Sequence, residues 1–99
     1  MTYKKNIILL GSTGSIGNSV LKLIRQNKNY FNLVGVSAHN NAQLLSKIVD
    51  EFDVPNVVLS NVNNITNYYG KYKLNTGYHA LIDLAAIKCD IVITGIIGV

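Results

Sequence analysis

A parallel α/β fold is predicted for this chain by three observations. Short apolar runs of strand length recur at residues 7–10, 33–38, 57–59 and 90–94. Stretches with helical apolar spacing lie between them. The first run feeds directly into Gly11, Gly14 and Gly17, three glycines at a spacing of three, where a strand turns into a helix. Strands that alternate with helices are most economically built as a parallel sheet with helices on its faces.

The elements follow in order. Residues 7–10 form the first strand. Residues 15–26 form the first helix, with Ile16, Val20, Leu23 and Ile24 as its apolar face, and Asn27-Lys28-Asn29 ends it. Residues 33–38 form the second strand. Asn40 or Asn41 caps a second helix whose inner face is Leu44, Leu45, Ile48, Val49 and Phe52. Pro55 stops that helix and residues 57–59 form the third strand. Residues 61–69 read as a short polar helix, and residues 72–74 as a weak strand or loop. Residues 78–88 form an amphipathic helix with Leu81, Ile82, Leu84, Ala85 and Ile87 apolar, and residues 90–94 form the last strand.

The chain has 99 residues, enough for one domain. Its 48% hydrophobic content supports a core, and no apolar run reaches the length of a membrane span. Residues 4–10 lack the pattern of a signal peptide, so a cytoplasmic location is expected. The net charge of +4 comes from scattered Lys and Arg, which argues against nucleic acid as a partner and suits a phosphorylated small molecule. Cys89 is the only cysteine and has no partner for a disulfide or metal site, so it reads as a buried small residue. The apolar residues 96–99 end without a closing helix, which suggests a chain truncated at its C-terminus.

The glycine triplet carries the chemistry. A strand-to-helix turn leaves backbone N–H groups at a helix N-terminus, where the donors and the helix dipole suit a phosphate or pyrophosphate. The first glycine permits the turn, the second lets a ligand approach the backbone, and the third lets the helix pack on the strand. No Gly-Lys-Ser/Thr follows, so the loop is not a P-loop. A Rossmann-like dinucleotide fold is therefore expected. Thr13, Gly14, Ser15 and Ile16 form the turn proper, and Ser15 also reads as a helix cap. The second strand runs into His39, Asn40 and Asn41, about 20 residues after the last glycine, where an NAD protein places an acid on the ribose 2′-hydroxyl. No acid stands there, which favours NADP. Neither does a Lys or Arg; Asn40 contributes no charge, and His39 helps mainly when protonated. The glycines after the last strand, Gly95 and Gly98, are expected to line the crevice. His79 reads as a cap or surface residue, and Tyr68, Tyr69, Tyr72 and Tyr78 as cover for a core edge or subunit contact.

The string Gly11-Ser12-Thr13-Gly14-Ser15-Ile16-Gly17 resembles the opening signature of the 1-deoxy-D-xylulose-5-phosphate reductoisomerases, NADPH enzymes of the non-mevalonate isoprenoid pathway. The resemblance continues through Asn27-x-x-Tyr30-Phe31, residues 34–41 and residues 90–98. It implies that residues 1–99 are an incomplete NADPH-binding domain and that Gly11, Thr13, Gly14, Ser15, Ile16, Gly17, His39, Asn40, Asn41 and Gly98 meet the cofactor. It further implies a ketose phosphate substrate, and a divalent metal, Mg²⁺ or Mn²⁺, whose carboxylate ligands lie outside this chain. A homodimer is expected of the full-length protein. The acids here, Asp50, Glu51, Asp53, Asp83 and Asp90, are not placed to converge on a metal. Two alternatives stand beside this reading. One is the opening domain of a semialdehyde-dehydrogenase or acyl-phosphate-reductase enzyme, whose glycine loop is similar. The other is a nucleotide-sensing module without hydride chemistry.

Overall fold

The computed structural model describes residues 3–95. It is a Rossmann-like sheet of five parallel strands flanked by helices: β1 (Lys5–Leu10), α1 (Ser15–Gln26), β2 (Phe31–Ala38), α2 (Ala42–Phe52), β3 (Asn56–Leu59), a 3-10 turn at Val62–Asn67, β4 (Leu74–Thr76), α3 (Tyr78–Ala85) and β5 (Ile91–Thr94). The strand order is β4-β3-β2-β1-β5, and every neighbouring pair is parallel. The chain thus walks outward from β1 to β4 and returns across the sheet to set β5 on the far side of β1. That reversal opens a crevice beyond the carboxyl ends of β1 and β5, the place where such sheets hold ligands.

Alternation along β1 explains the two layers. Ile7 and Leu9 face α1 and α2, and pack with Leu21, Ile24, Leu45, Ile48 and Val49. Ile8 faces the opposite way with Val58 and Leu84 of α3. A strand apolar at every position is one buried on both faces. A shift in register between Ile7 and Ile8 lets β2 carry one extra residue past β1.

Several element details depart from the sequence reading. The buried stripe of α1 is Gly17, Leu21 and Ile24, with Val20 beside it, whereas Ile16 and Leu23 are 51% and 59% exposed. The stripe is rotated because Gly17, having no side chain, is the residue that touches the loop below. On α2, Leu44 turns outward and Ser46 is buried, its hydroxyl donating to Ala42 O at 2.7 Å. The short helix expected at residues 61–69 is a 3-10 helix at Val62–Asn67, with Val62 and Ile65 exposed. The weak strand lies slightly later, at Leu74–Thr76. Helix α3 stops at Ala85 and buries Leu84 alone, leaving Ile82 and Ala85 outside. The Ala86 N–H is shared between Ile82 O and Asp83 O, which tightens the last turn and ends the helix. Among the described residues no helix is long and apolar enough to cross a membrane.

Candidate functional site

The turn between β1 and α1 is built on a clamp of hydroxyls. Ser12 and Ser37 are both buried. The Gly11 N–H donates to Ser37 Oγ at 3.0 Å. The Ser12 N–H and Ser12 Oγ both donate to Ser37 O, at 2.7 and 2.9 Å. The end of β2 therefore fixes the course of the loop, and buried polar atoms here are paired with one another. The sequence reading passed over both serines. The available signal was Ser37 itself, a lone hydroxyl in the apolar stretch 33–38, which needs a partner once buried.

Each glycine of the triplet has a different cause. Gly11 has φ 78°, a conformation that side chains other than glycine adopt at a cost of roughly 1–2 kcal/mol. A Cβ on Gly17 would lie 2.5 Å from Gly11 O and 2.6 Å from Ser12 O, so the absent side chain is what lets α1 rest on the turn. Gly14 is different again. Its φ of −85° and ψ of −177° suit any residue, and a Cβ there would meet nothing nearer than 4.0 Å. Among the described residues, neither the backbone conformation nor the packing demands glycine at position 14, and they leave the space in front of it open.

That space faces a helix terminus. Gly14 is the N-cap of α1, and no side chain caps the helix. The reading of Ser15 as the cap is corrected: Ser15 is the first helical residue, and its carbonyl accepts from Ser19 Oγ at 3.2 Å. First-turn N–H groups have no carbonyl partner within their own helix, and the helix dipole gives that end positive character.

The crevice beyond is a cavity of about 610 Å³ lined by Gly11, Thr13, Gly14, Ser37, Ala38, His39, Ser60, Tyr78, Leu81 and Gly95. It is bounded by the glycine turn, the ends of β2, β3 and β5, and the start of α3. Gly95 closes it against the turn: its N–H donates to Leu10 O at 2.6 Å, and a Cβ there would lie 3.0 Å from Gly11 O. Of the residues expected from the sequence, Gly11, Thr13, Gly14, His39 and Gly95 line this cavity. Ser15 lines an adjoining groove of about 420 Å³ between α1 and α2, with Thr13, Gly14, Asn18 and Lys47. Ile16 is exposed at the turn, and Gly17 lies beneath it. Asn40 and Asn41 do not line the cavity. Asn40 Oδ1 accepts from Asn61 Nδ2 at 2.5 Å, and Asn41 Oδ1 accepts from the Leu44 N–H at 3.1 Å, making Asn41 the cap of α2. Gly98 lies outside the described residues. Ser60, Tyr78 and Leu81 belong to the cavity wall and were not anticipated, because only the strand order brings the ends of β3 and the start of α3 beside the glycine turn.

The carboxylates are elsewhere. Glu51 pairs with Arg25, Oε1 accepting from Nη2 at 2.8 Å, and this pairing holds the Glu51 carboxyl below its usual range. Asp53 accepts from Tyr72 Oη at 2.9 Å and pairs with Lys71 Nζ at 2.7 Å. Asp90 accepts from the Asn6 N–H at 2.7 Å at the opposite end of the sheet. Among the described residues no three His, Cys, Asp or Glu gather where they could hold a metal ion.

Comparison with known proteins agrees with this geometry. A family model described as 1-deoxy-D-xylulose 5-phosphate reductoisomerase matches residues 7–99. The chain is 40% identical over 102 residues to the 1-deoxy-D-xylulose 5-phosphate reductoisomerase of Clostridium acetobutylicum, covering 95% of this chain and 26% of that protein. It is 38% identical to the Thermotoga neapolitana protein of the same name, covering 96% of this chain and 24% of that one. A solved structure, the Zymomonas mobilis reductoisomerase in complex with NADPH, superposes with a TM-score of 0.87 at 25% identity, over 97% of this chain and 27% of that one. The chain thus spans about a quarter of the length of the curated relatives it matches. With the glycine turn, the strand order and these matches in agreement, the chain belongs to the 1-deoxy-D-xylulose 5-phosphate reductoisomerase family.

Proposed function

We propose that residues 1–99 are the NADPH-binding portion of an enzyme that converts 1-deoxy-D-xylulose 5-phosphate to 2-C-methyl-D-erythritol 4-phosphate. The observation that carries this is the open space at Gly14. A glycine that neither φ nor packing requires stands before an uncapped helix terminus, which is the cradle a pyrophosphate fills. The Zymomonas mobilis relative, in complex with NADPH, supports the same cofactor.

In this reading the backbone N–H groups of residues 14–17 hold the pyrophosphate, with the Thr13 and Ser15 hydroxyls beside them. The Ser12–Ser37 clamp fixes that turn before the ligand arrives, so little order is lost on binding. His39, with Asn40 and Asn41 behind it, forms the ribose end, and no acid there repels a 2′-phosphate. Gly95, and Gly98 after it, edge the opposite side. The bound cofactor supplies a hydride donor; this chain's residues position it. The metal has no ligand set among the described residues, so its carboxylates are assigned to the portion that the longer relatives carry in addition. A structural relative is a reductoisomerase in complex with magnesium. A phosphorylated ketose substrate, a homodimer and a cytoplasmic location complete the proposal. The matches favour neither the semialdehyde-dehydrogenase reading nor the nucleotide-sensing one.

Calorimetric titration of the intact protein with NADPH tests the proposal. Saturable binding at a single site is expected, and a folded protein that takes up neither NADPH nor NADH overturns it.

A further inference from the structure

Helix α1 is apolar on two sides, and the sheet buries one of them. Gly17, Leu21 and Ile24 are buried. Ile16, Val20 and Leu23, at i, i+4 and i+7, form a second stripe along the helix. Val20 is partly buried beside the larger core, while Ile16 and Leu23 are more than half exposed. The apolar arc is therefore wider than the roughly 100° that one interface needs. Helix α2 lies on the other flank, where Ser15, Asn18, Leu21 and Arg25 of α1 line the groove between the two helices. The second stripe thus faces the β5 side of the sheet. Gly95 agrees, since a Cβ placed there would lie 3.5 Å from Ile16 Cβ. On that side Ile91 and Ile93 of β5 border the same core and are only partly buried. Among the described residues β5 ends the sheet, pairing with β1 alone. Its four residues, Ile91–Thr94, carry no charge and no proline, the usual guards of a free edge. Stripe and edge adjoin, and an apolar surface of that kind marks an interface.

We propose that this flank of α1 is an internal docking face: in the intact protein, the polypeptide that follows residue 99 lays apolar side chains over Ile16, Val20 and Leu23, beside β5. The inference rests on reading the chain as part of a longer enzyme. Two observations select this occupant over a second copy of the chain. The matched region is 26% of the Clostridium acetobutylicum relative, so such proteins carry ample further polypeptide. Gly95 leaves β5 beside Ile16, so the continuing chain sets out from the edge of the stripe. A segment tethered there meets the face at an effective concentration on the order of millimolar, which a separate molecule in dilute solution does not reach.

The test is thiol labelling of the intact protein with a maleimide, followed site by site by peptide mass spectrometry. Leu23→Cys is compared with Lys22→Cys, its exposed neighbour on the same helix, which points away from the stripe. Leu23→Cys should react at least about tenfold more slowly in the native protein, and at the same rate in urea. The protection should persist when the protein is diluted. Equal native rates overturn the proposal. So does protection that is lost on dilution, which would make a second copy the occupant. Leu23→Lys gives an independent reading: it should lower the melting temperature of the intact protein by about 4 °C or more, whereas a change on a free helix surface leaves it nearly unmoved. An unmoved melting temperature also overturns the proposal. Titration of the same proteins with NADPH keeps the two readings apart. Exposed Leu23 with coenzyme bound removes the docking face alone, and protected Leu23 without coenzyme binding removes the coenzyme reading alone.

Discussion

Gly14 and Gly17 are indistinguishable as letters, yet a methyl group would meet open space at one and backbone at the other. Gly14→Val should therefore fold with a melting temperature close to the parent's and lose NADPH affinity at least about tenfold, or 1.4 kcal/mol, since its branches enter the ligand's space. Unchanged affinity in the folded variant would remove the pyrophosphate from this turn. Gly17→Ala should do the reverse, costing about 1–3 kcal/mol of stability because its Cβ would lie 2.5 Å from a carbonyl that cannot swing away. Chemical denaturation separates the two. Asn40→Asp adds a carboxylate next to His39 at the rim of the proposed ribose end and should therefore move coenzyme preference towards NADH, from a parent preference for NADPH of about 1–3 kcal/mol. Competition titration with the two coenzymes reads it directly.

At the level of elements, the helices and strands were largely legible in the sequence, and what escaped it has a common physical source. The limits of α1, residues 15–26, could be read because a glycine turn starts the helix and Asn27 ends it. Which side of α1 faces the sheet could not, since Ile16 and Leu23 are as apolar as Leu21 and Ile24; the choice is made by Gly17 resting on the turn. The Ser12–Ser37 clamp depends on a neighbouring strand and leaves no local pattern. The glycine turn itself was readable because its requirement is local, whereas Ser60, Tyr78 and Leu81 entered the site through strand order. Two element-level tests follow. Asn41→Ala removes the α2 cap and should cost about 1 kcal/mol in denaturation, with coenzyme affinity nearly kept. The Arg25–Glu51 pair joins α1 to α2 at the surface, both side chains more than a third exposed. Because pairing lowers the Glu51 carboxyl in the folded state, its contribution is present above the ordinary carboxylate range and is lost as the pH falls through the lowered value. Exposure keeps it below about 1 kcal/mol, and Glu51→Gln should flatten that acid limb of the stability curve.

For the molecule as a whole, the two faces of the sheet are unequally furnished. Helices α1 and α2 and the larger core lie on one side, and α3 with a smaller core on the other. The proposed coenzyme crevice sits at one end of that sheet, while Asp53 and Asp90 are tied to partners away from it. The 99-residue chain alone should therefore bind coenzyme without consuming it. The assay is nicotinamide absorbance with 1-deoxy-D-xylulose 5-phosphate and Mn²⁺ present. Oxidation above background from the verified chain would place reactive groups where none are assigned.

The pairing of β5 with β1 sets a schedule for folding. Asn6 and Asp90 meet across 84 positions of sequence. Gly95, the residue that walls the crevice against the turn, follows β5, the strand whose partner β1 is most distant in sequence. A nascent chain can bring β1 to β4 together as they emerge, each beside its predecessor, but the crevice lacks Gly95, its wall against the glycine turn, until β5 crosses back. Contacts of such long span close late. If the crevice holds the coenzyme as proposed, a chain whose β5 has not joined is expected to bind it more weakly, because the glycine turn would then lack Gly95 against it.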